Sequence, residues 1–373
     1  MPSQEQNPAG LQAVPRATRR RAAAAAQRTD PAAPSTQRPP ATKLWIRNAW
    51  WDSFWILSGL PIALALLLLS PSIYLTLALV MLLEHAHFLS PMTLAWTHSD
   101  FRGLMLRRPM KFIGVPILLV LTTTTIGILT SRFVPDLNVD IGLRVRVYDF
   151  ADYKQPFVML VVLYFLWNSY HFAMQNFGVL TIYRMKSGSG NRRTDMIYCL
   201  GVQIASSIMV FSRILELDRG VMKGFYITVG LLGVLAMLMR ENRWSPRIPF
   251  ILANAVALMF FMESILWGFA IWSVNHWLVA LGLSSHVYAV HRRRSAALFI
   301  TGLLAAGLFV FWLIFGRGVN PDTLFDPQFA VKTTMIAMSV RYGVAFTHFL
   351  YDRWLWQFRK PEVQATIGKN LFA

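Results

Sequence analysis

Histidine dominates the side chains of this 373-residue chain that could bind a metal or move a proton: there are eight, against one cysteine. Cys199 alone excludes an intrachain disulfide or a thiolate cluster. His85, His87, His171, His276, His286 and His348 all lie in long apolar stretches, as do Glu84, Glu263 and Asp352. An ionisable group in hydrocarbon costs roughly 2.5–3.5 kcal/mol on insertion scales, so such groups are candidates for function. Imidazole-rich sites with few carboxylates suit iron, copper or zinc. The six histidines are therefore candidate metal ligands, with Glu84, Glu263 and Asp352 as candidate catalytic carboxylates. A lone buried His, Asn or Gln serves equally well as interhelical glue worth about 0.6 kcal/mol. Several histidines together with buried carboxylates exceed what glue requires.

The elements that must position these groups follow from composition. The chain is 55% hydrophobic and only 14% charged, with a mean hydropathy of +0.44. A soluble domain has about 25% charged residues, so a water-soluble globule is excluded and an all-α polytopic membrane protein is expected. A run of about 20 apolar residues crosses the hydrocarbon core. Ten such spans are expected, at about 51–70, 72–97, 111–131, 155–183, 196–214, 221–239, 247–266, 268–290, 295–316 and 329–352. Breaks fall at Ser70-Pro71-Ser72 and, least distinctly, at Trp267-Gly268.

The formal charge of +18 would suggest nucleic acid in a soluble protein. Here the basic residues sort by topology. With both termini on the cytoplasmic side, the inner loops collect most of the 36 Lys and Arg, including Arg102, Arg107, Arg108, Arg192, Arg193 and Arg292–Arg294. That is the positive-inside pattern, and nucleic acid drops out. Residues 1–43 form an Ala/Pro/Arg-rich tail that is expected to be disordered. Residues 44–358 form the membrane domain, and 359–373 a short cytoplasmic tail. No secretory signal is recognisable, and a bacterial inner membrane fits better than an organelle.

Depth along each span is read from the helical rise of 1.5 Å per residue. His171 lies about 20 Å above Arg184 and His276 about 24 Å above Arg292. His85, His87 and Glu263 reach a similar level. His98, His286, His348 and Asp352 make a second tier nearer the inner face. His98 and His291 are expected beside lipid headgroups, and Arg341 lies within a span with Glu84 and Glu263. His85 and His87 point about 200° apart on a regular helix. Both can face one centre only if the helix distorts at Pro91, whose ring displaces the carbonyl of residue 87. Asn168, His171 and Gln175 form one polar stripe, and Arg341, His348 and Asp352 another.

Three segments carry a resemblance. Tyr170-His171-Phe172-Ala173-Met174-Gln175-Asn176-Phe177 resembles the His-Phe-Gly region of the bacteriorhodopsin-related (Brp/Blh-type) β-carotene dioxygenases. Thr347-His348-Phe349-Leu350-Tyr351-Asp352 is similar to that family's closing His…Asp helix, and His286 with His291 to its internal His pair. Glu84-His85-Ala86-His87 stands where that family has Pro-His-Gly, and Gln175-Asn176 replaces an acidic residue. The resemblance implies a multi-span membrane enzyme holding iron through His171, His286 and His348, with a carotenoid substrate.

The leading expectation is a metal-dependent membrane oxidoreductase or oxygenase, with iron as cofactor, acting on a lipid or isoprenoid. Its expected partners are membrane lipids and a hydrophobic small molecule, with the redox partner unspecified. One alternative is a haem-b electron carrier that uses His85 or His87 with His171 as axial ligands. Another is an ion- or proton-coupled transporter.

Overall fold

A computed structural model describes residues 44–69, 73–133, 156–214, 218–242, 244–263, 265–292, 295–311, 327–357, 360–368 and 371. The tail 1–43 and most of the loop 132–154 lie outside them. The described residues are helical throughout, with no strand among them. Leu, Ala, Val and Phe dominate these segments, and a helix satisfies its backbone polar groups internally, as an apolar surround demands.

The chain enters through α1 (Ala49–Asp52), capped by Asn48, whose side chain accepts from the Trp51 amide at 2.9 Å. A π turn over Ser53–Leu57 leads into α2 (Gly59–Leu69), and the two halves meet at 54°. Gly59 presses on the backbone of Asn275, a close approach that a Cβ would block. The long helices are α3 (Ile73–Thr97), α5 (Val115–Phe133), α6 (Pro156–Ser187) and α7 (Arg192–Ile214). They continue with α8 (Arg219–Leu238), α9 (Arg247–Glu263), α10 (Ile265–Arg292), α11 (Ala296–Phe311) and α12 (Pro327–Leu355). Short α4 (Ser99–Arg107) links α3 to a π turn before α5, and α13 (Pro361–Val363) follows α12. Helix α3 packs on α10, α11 and α12. In turn, α12 packs on α5 and α6, while α9 lies against α7, α8 and α10.

Among the described residues, two helices are long and apolar enough to cross a membrane, Met110–Arg132 and Gly220–Leu238, and a third if the bent pair Ala49–Leu69 counts as one span. That is fewer than the ten expected. Several of the remaining long helices carry buried polar side chains, among them His87, Asn168, His171, His276 and His348, which reduce their apolar character. Outward faces are apolar: Leu118 and Leu121 on α5, Leu163 and Leu166 on α6, Leu231 and Leu232 on α8, and Leu298 and Leu308 on α11 are all exposed. Trp267-Gly268 lies inside α10, which runs through it without interruption. Glycine is well tolerated inside apolar spans, which is why Gly268 does not interrupt the helix.

At one end of the bundle a buried charge network ties α6, α7 and α9 together. Arg247 is fully buried and donates to Asp195 at 2.7 and 3.2 Å, to Glu241 at 2.7 Å and to the Leu180 carbonyl at 2.8 Å. Arg184 meets the same Asp195 at 2.7 Å. Gly190 in the α6–α7 turn has φ +90, and a Cβ there would strike the Arg247 guanidinium. Buried Asp52 accepts from the Tyr183 hydroxyl at 2.6 Å and from the amides of Ile46 and Arg47, fastening the entry segment to α6. The C-terminal segment is not a free tail: Val363, Ile367 and Leu371 are buried.

Removing one partner of a buried ion pair strands the other and costs about 3–5 kcal/mol. Asp195→Ala should therefore lower the thermal midpoint of the detergent-solubilised protein sharply, while exposed Arg193→Ala leaves it unchanged.

Candidate metal centre

Four helices bring one histidine each to a common point. His87 comes from α3, His171 from α6, His276 from α10 and His348 from α12, all buried, and one ring nitrogen from each lies within 4.8 Å of the others. The 100° helical step explains the choice on α3. The helix runs unbroken through Pro91, so only one of His85 and His87 can face the centre, and it is His87. Proline removes the N–H that would reach the His87 carbonyl. The Ser90 hydroxyl donates to that carbonyl instead, at 2.9 Å.

The spacings fit ligands better than hydrogen bonds. His171 Nε2 and His348 Nε2 lie 3.3 Å apart, and Asp352 Oδ2 lies 3.4 Å from the first and 3.5 Å from the second. An N–H···O bond spans about 2.7–3.2 Å. Two atoms each bonded at about 2.1 Å to one ion, at the tetrahedral angle, sit about 3.4 Å apart. Neither ring nitrogen of His87 or His276 has a hydrogen-bond partner among the described residues. Neutral imidazoles converging in this way offer lone pairs with no donor to meet them. A transition-metal ion would satisfy all four, so the group could hold one.

Aromatic rings fix the imidazole planes. Phe172 stacks on His276 at 3.7 Å and 25°, Phe349 lies on His171 at 4.6 Å, and Phe88 on His348 at 5.2 Å. Gln175, one turn after His171, donates to the His276 carbonyl at 2.8 Å and joins α6 to α10. The second Asp352 oxygen accepts from Trp356 at 3.1 Å, which aims Oδ2 at the histidines.

Other expected site residues lie elsewhere. His85 packs beside Phe88 and faces Gly307 of α11. His286 leans on Trp51 at 5.4 Å. Glu84 forms a bidentate pair with Arg341, one bond at 3.0 Å, and is committed there. Glu263 ends α9, and its side chain lies outside the described residues. His348 and Asp352 meet His171 and the other clustered histidines and do not form a separate second tier. His98 is buried at the head of α4 and stacks on His291 at 3.7 Å, so it is no headgroup neighbour.

Sequence reasoning missed the Arg341–Glu84 pair, whose signal was two opposite charges in apolar spans, and the rings that hold the imidazoles, for which spacing gives none. In comparisons with protein-family models, curated proteins and solved structures, nothing matches this chain.

His87→Ala and His276→Ala should each abolish metal retention, measured as metal per chain after purification. His85→Ala and His286→Ala should retain the wild-type content. Asp352→Ala should weaken metal affinity about 10–100-fold, the usual scale for loss of a group that orients ligands.

Proposed function

We propose that this protein is a polytopic membrane oxidoreductase of the oxygenase type, with an iron ion held by His87, His171, His276 and His348, acting on a lipid or isoprenoid substrate. The observation that carries the proposal is the convergence of four buried imidazoles, two of them with no hydrogen-bond partner among the described residues, with one carboxylate in reach. Imidazole ligands suit iron among the first-row metals, and iron exchanges electrons.

The residues have separable tasks. The four imidazoles would hold the ion, and Asp352 would offset part of its charge. Phe88, Phe172 and Phe349 keep the rings in place and exclude water. A redox-active ion bound there would supply electron exchange between dioxygen and an apolar substrate. Exposed Leu and Ile on the outward helix faces support entry of such a substrate from the bilayer.

Ten spans remain the proposed topology, with both termini in the cytoplasm of a bacterial inner membrane. In support, α3, α6, α7, α10 and α12 have 25, 32, 23, 28 and 29 residues. At 1.5 Å per residue each exceeds the roughly 30 Å hydrocarbon core. The resemblance to the Brp/Blh-type dioxygenases supports an isoprenoid substrate. Two of the three ligands it implies, His171 and His348, are in the cluster, while His286 is not.

Detergent-purified protein never exposed to chelators should contain about one iron per chain and show no Soret band. A Soret band would move the assignment to a haem-b carrier. Folded protein with neither metal nor chromophore would contradict the proposal and favour a proton-coupled transporter.

A further inference from the structure

Two turns along the bundle from the histidines sits a buried group with no place among the ligands. Arg341 on α12 grips both oxygens of Glu84 on α3 through the Nε–Nη2 edge of its guanidinium, and its Cζ lies 5.4 Å from the ring centre of Tyr164 on α6. All three side chains are at least nine-tenths buried. The pair neutralises itself, so it does not offset charge at the metal centre.

Register links this group to the histidines. Tyr164 precedes His171 by seven residues, and Arg341 precedes His348 by seven. Seven residues return a helix to within about 20° of the same face, about 10 Å along its axis. Glu84 precedes His87 by three, about 4.5 Å along α3. On each of three helices, a member of the group and a histidine of the cluster therefore lie on neighbouring parts of one face. A guanidinium fork on a carboxylate has a fixed geometry that a single hydrogen bond lacks. It restrains the rotation of α3 against α12, the two helices whose imidazoles lie closest within the cluster, at 4.2 Å between ring centres.

We infer that Arg341, Glu84 and Tyr164 are positioning residues, a clamp that sets the ligand geometry of the metal centre from two turns away. The clamp rests on the metal centre proposed above. Cobalt(II) is the probe, because its visible bands report ligand geometry and need no turnover. Wild type should bind about one cobalt per chain with visible d–d absorption. Arg341→Gln and Glu84→Gln should weaken cobalt binding about 10–100-fold per folded chain and shift the bands.

Arg341→Lys keeps the charge but loses the fork, and it carries the test if the neutral variants do not fold. It should bind cobalt more weakly than wild type, with altered bands. Wild-type affinity and unchanged bands in the folded variants would overturn the clamp and leave the metal centre standing, whatever happens to the thermal midpoint. A wild-type protein that takes up no cobalt would overturn the metal centre and the clamp with it.

Discussion

Two imidazole nitrogens face each other at 3.3 Å beside a carboxylate, cut off from water, and offer a cation a buried site. Leaving a buried polar atom without a partner costs about 1–3 kcal/mol. Here the unpartnered nitrogens of His87 and His276 are added to that facing pair. Nothing else in the described bundle concentrates so much unmet hydrogen-bonding capacity at one point. The other features of the fold are arranged around this demand. Four helices converge to supply the imidazoles, phenyl rings lock their planes, and Gln175 ties two of the helices together.

Precision at such a centre requires rigid helices on every side. Buried ion pairs are a poor source of net stability, because desolvation offsets their attraction. Their value here is directional. Arg341 with Glu84 fixes α3 against α12, while Arg247 with Asp195 and Glu241 fixes α6 and α7 against α9. Asp52 and Tyr183 fasten the entry segment to the same α6. Helix α6, which carries His171, is therefore held by the Arg247 network and by Asp52 at one end and reaches the Arg341 pair through Tyr164 at the other.

Much of this was legible in the sequence. The all-helical class followed from composition, and His87, His171, His276 and His348 were all among the candidate ligands. The selection among six histidines was not legible. His85 and His87 differ by two positions, and only the unbroken run of α3 through Pro91 decides between them. His286 pairs with Trp51, a contact between distant parts of the chain that no local spacing predicts. Depth along each helix placed His348 and Asp352 in a second tier, whereas the packing of α12 brings them to His171.

The most direct test of the central claim is X-ray absorption fine structure at the K edge of the metal that copurifies with the protein. Four histidines with Asp352 in reach predict a first shell of nitrogen and oxygen at about 2.1 Å, followed by the outer-shell scattering of several imidazole rings. A shell of oxygen alone without imidazole scattering, or the pattern of a porphyrin, would contradict it.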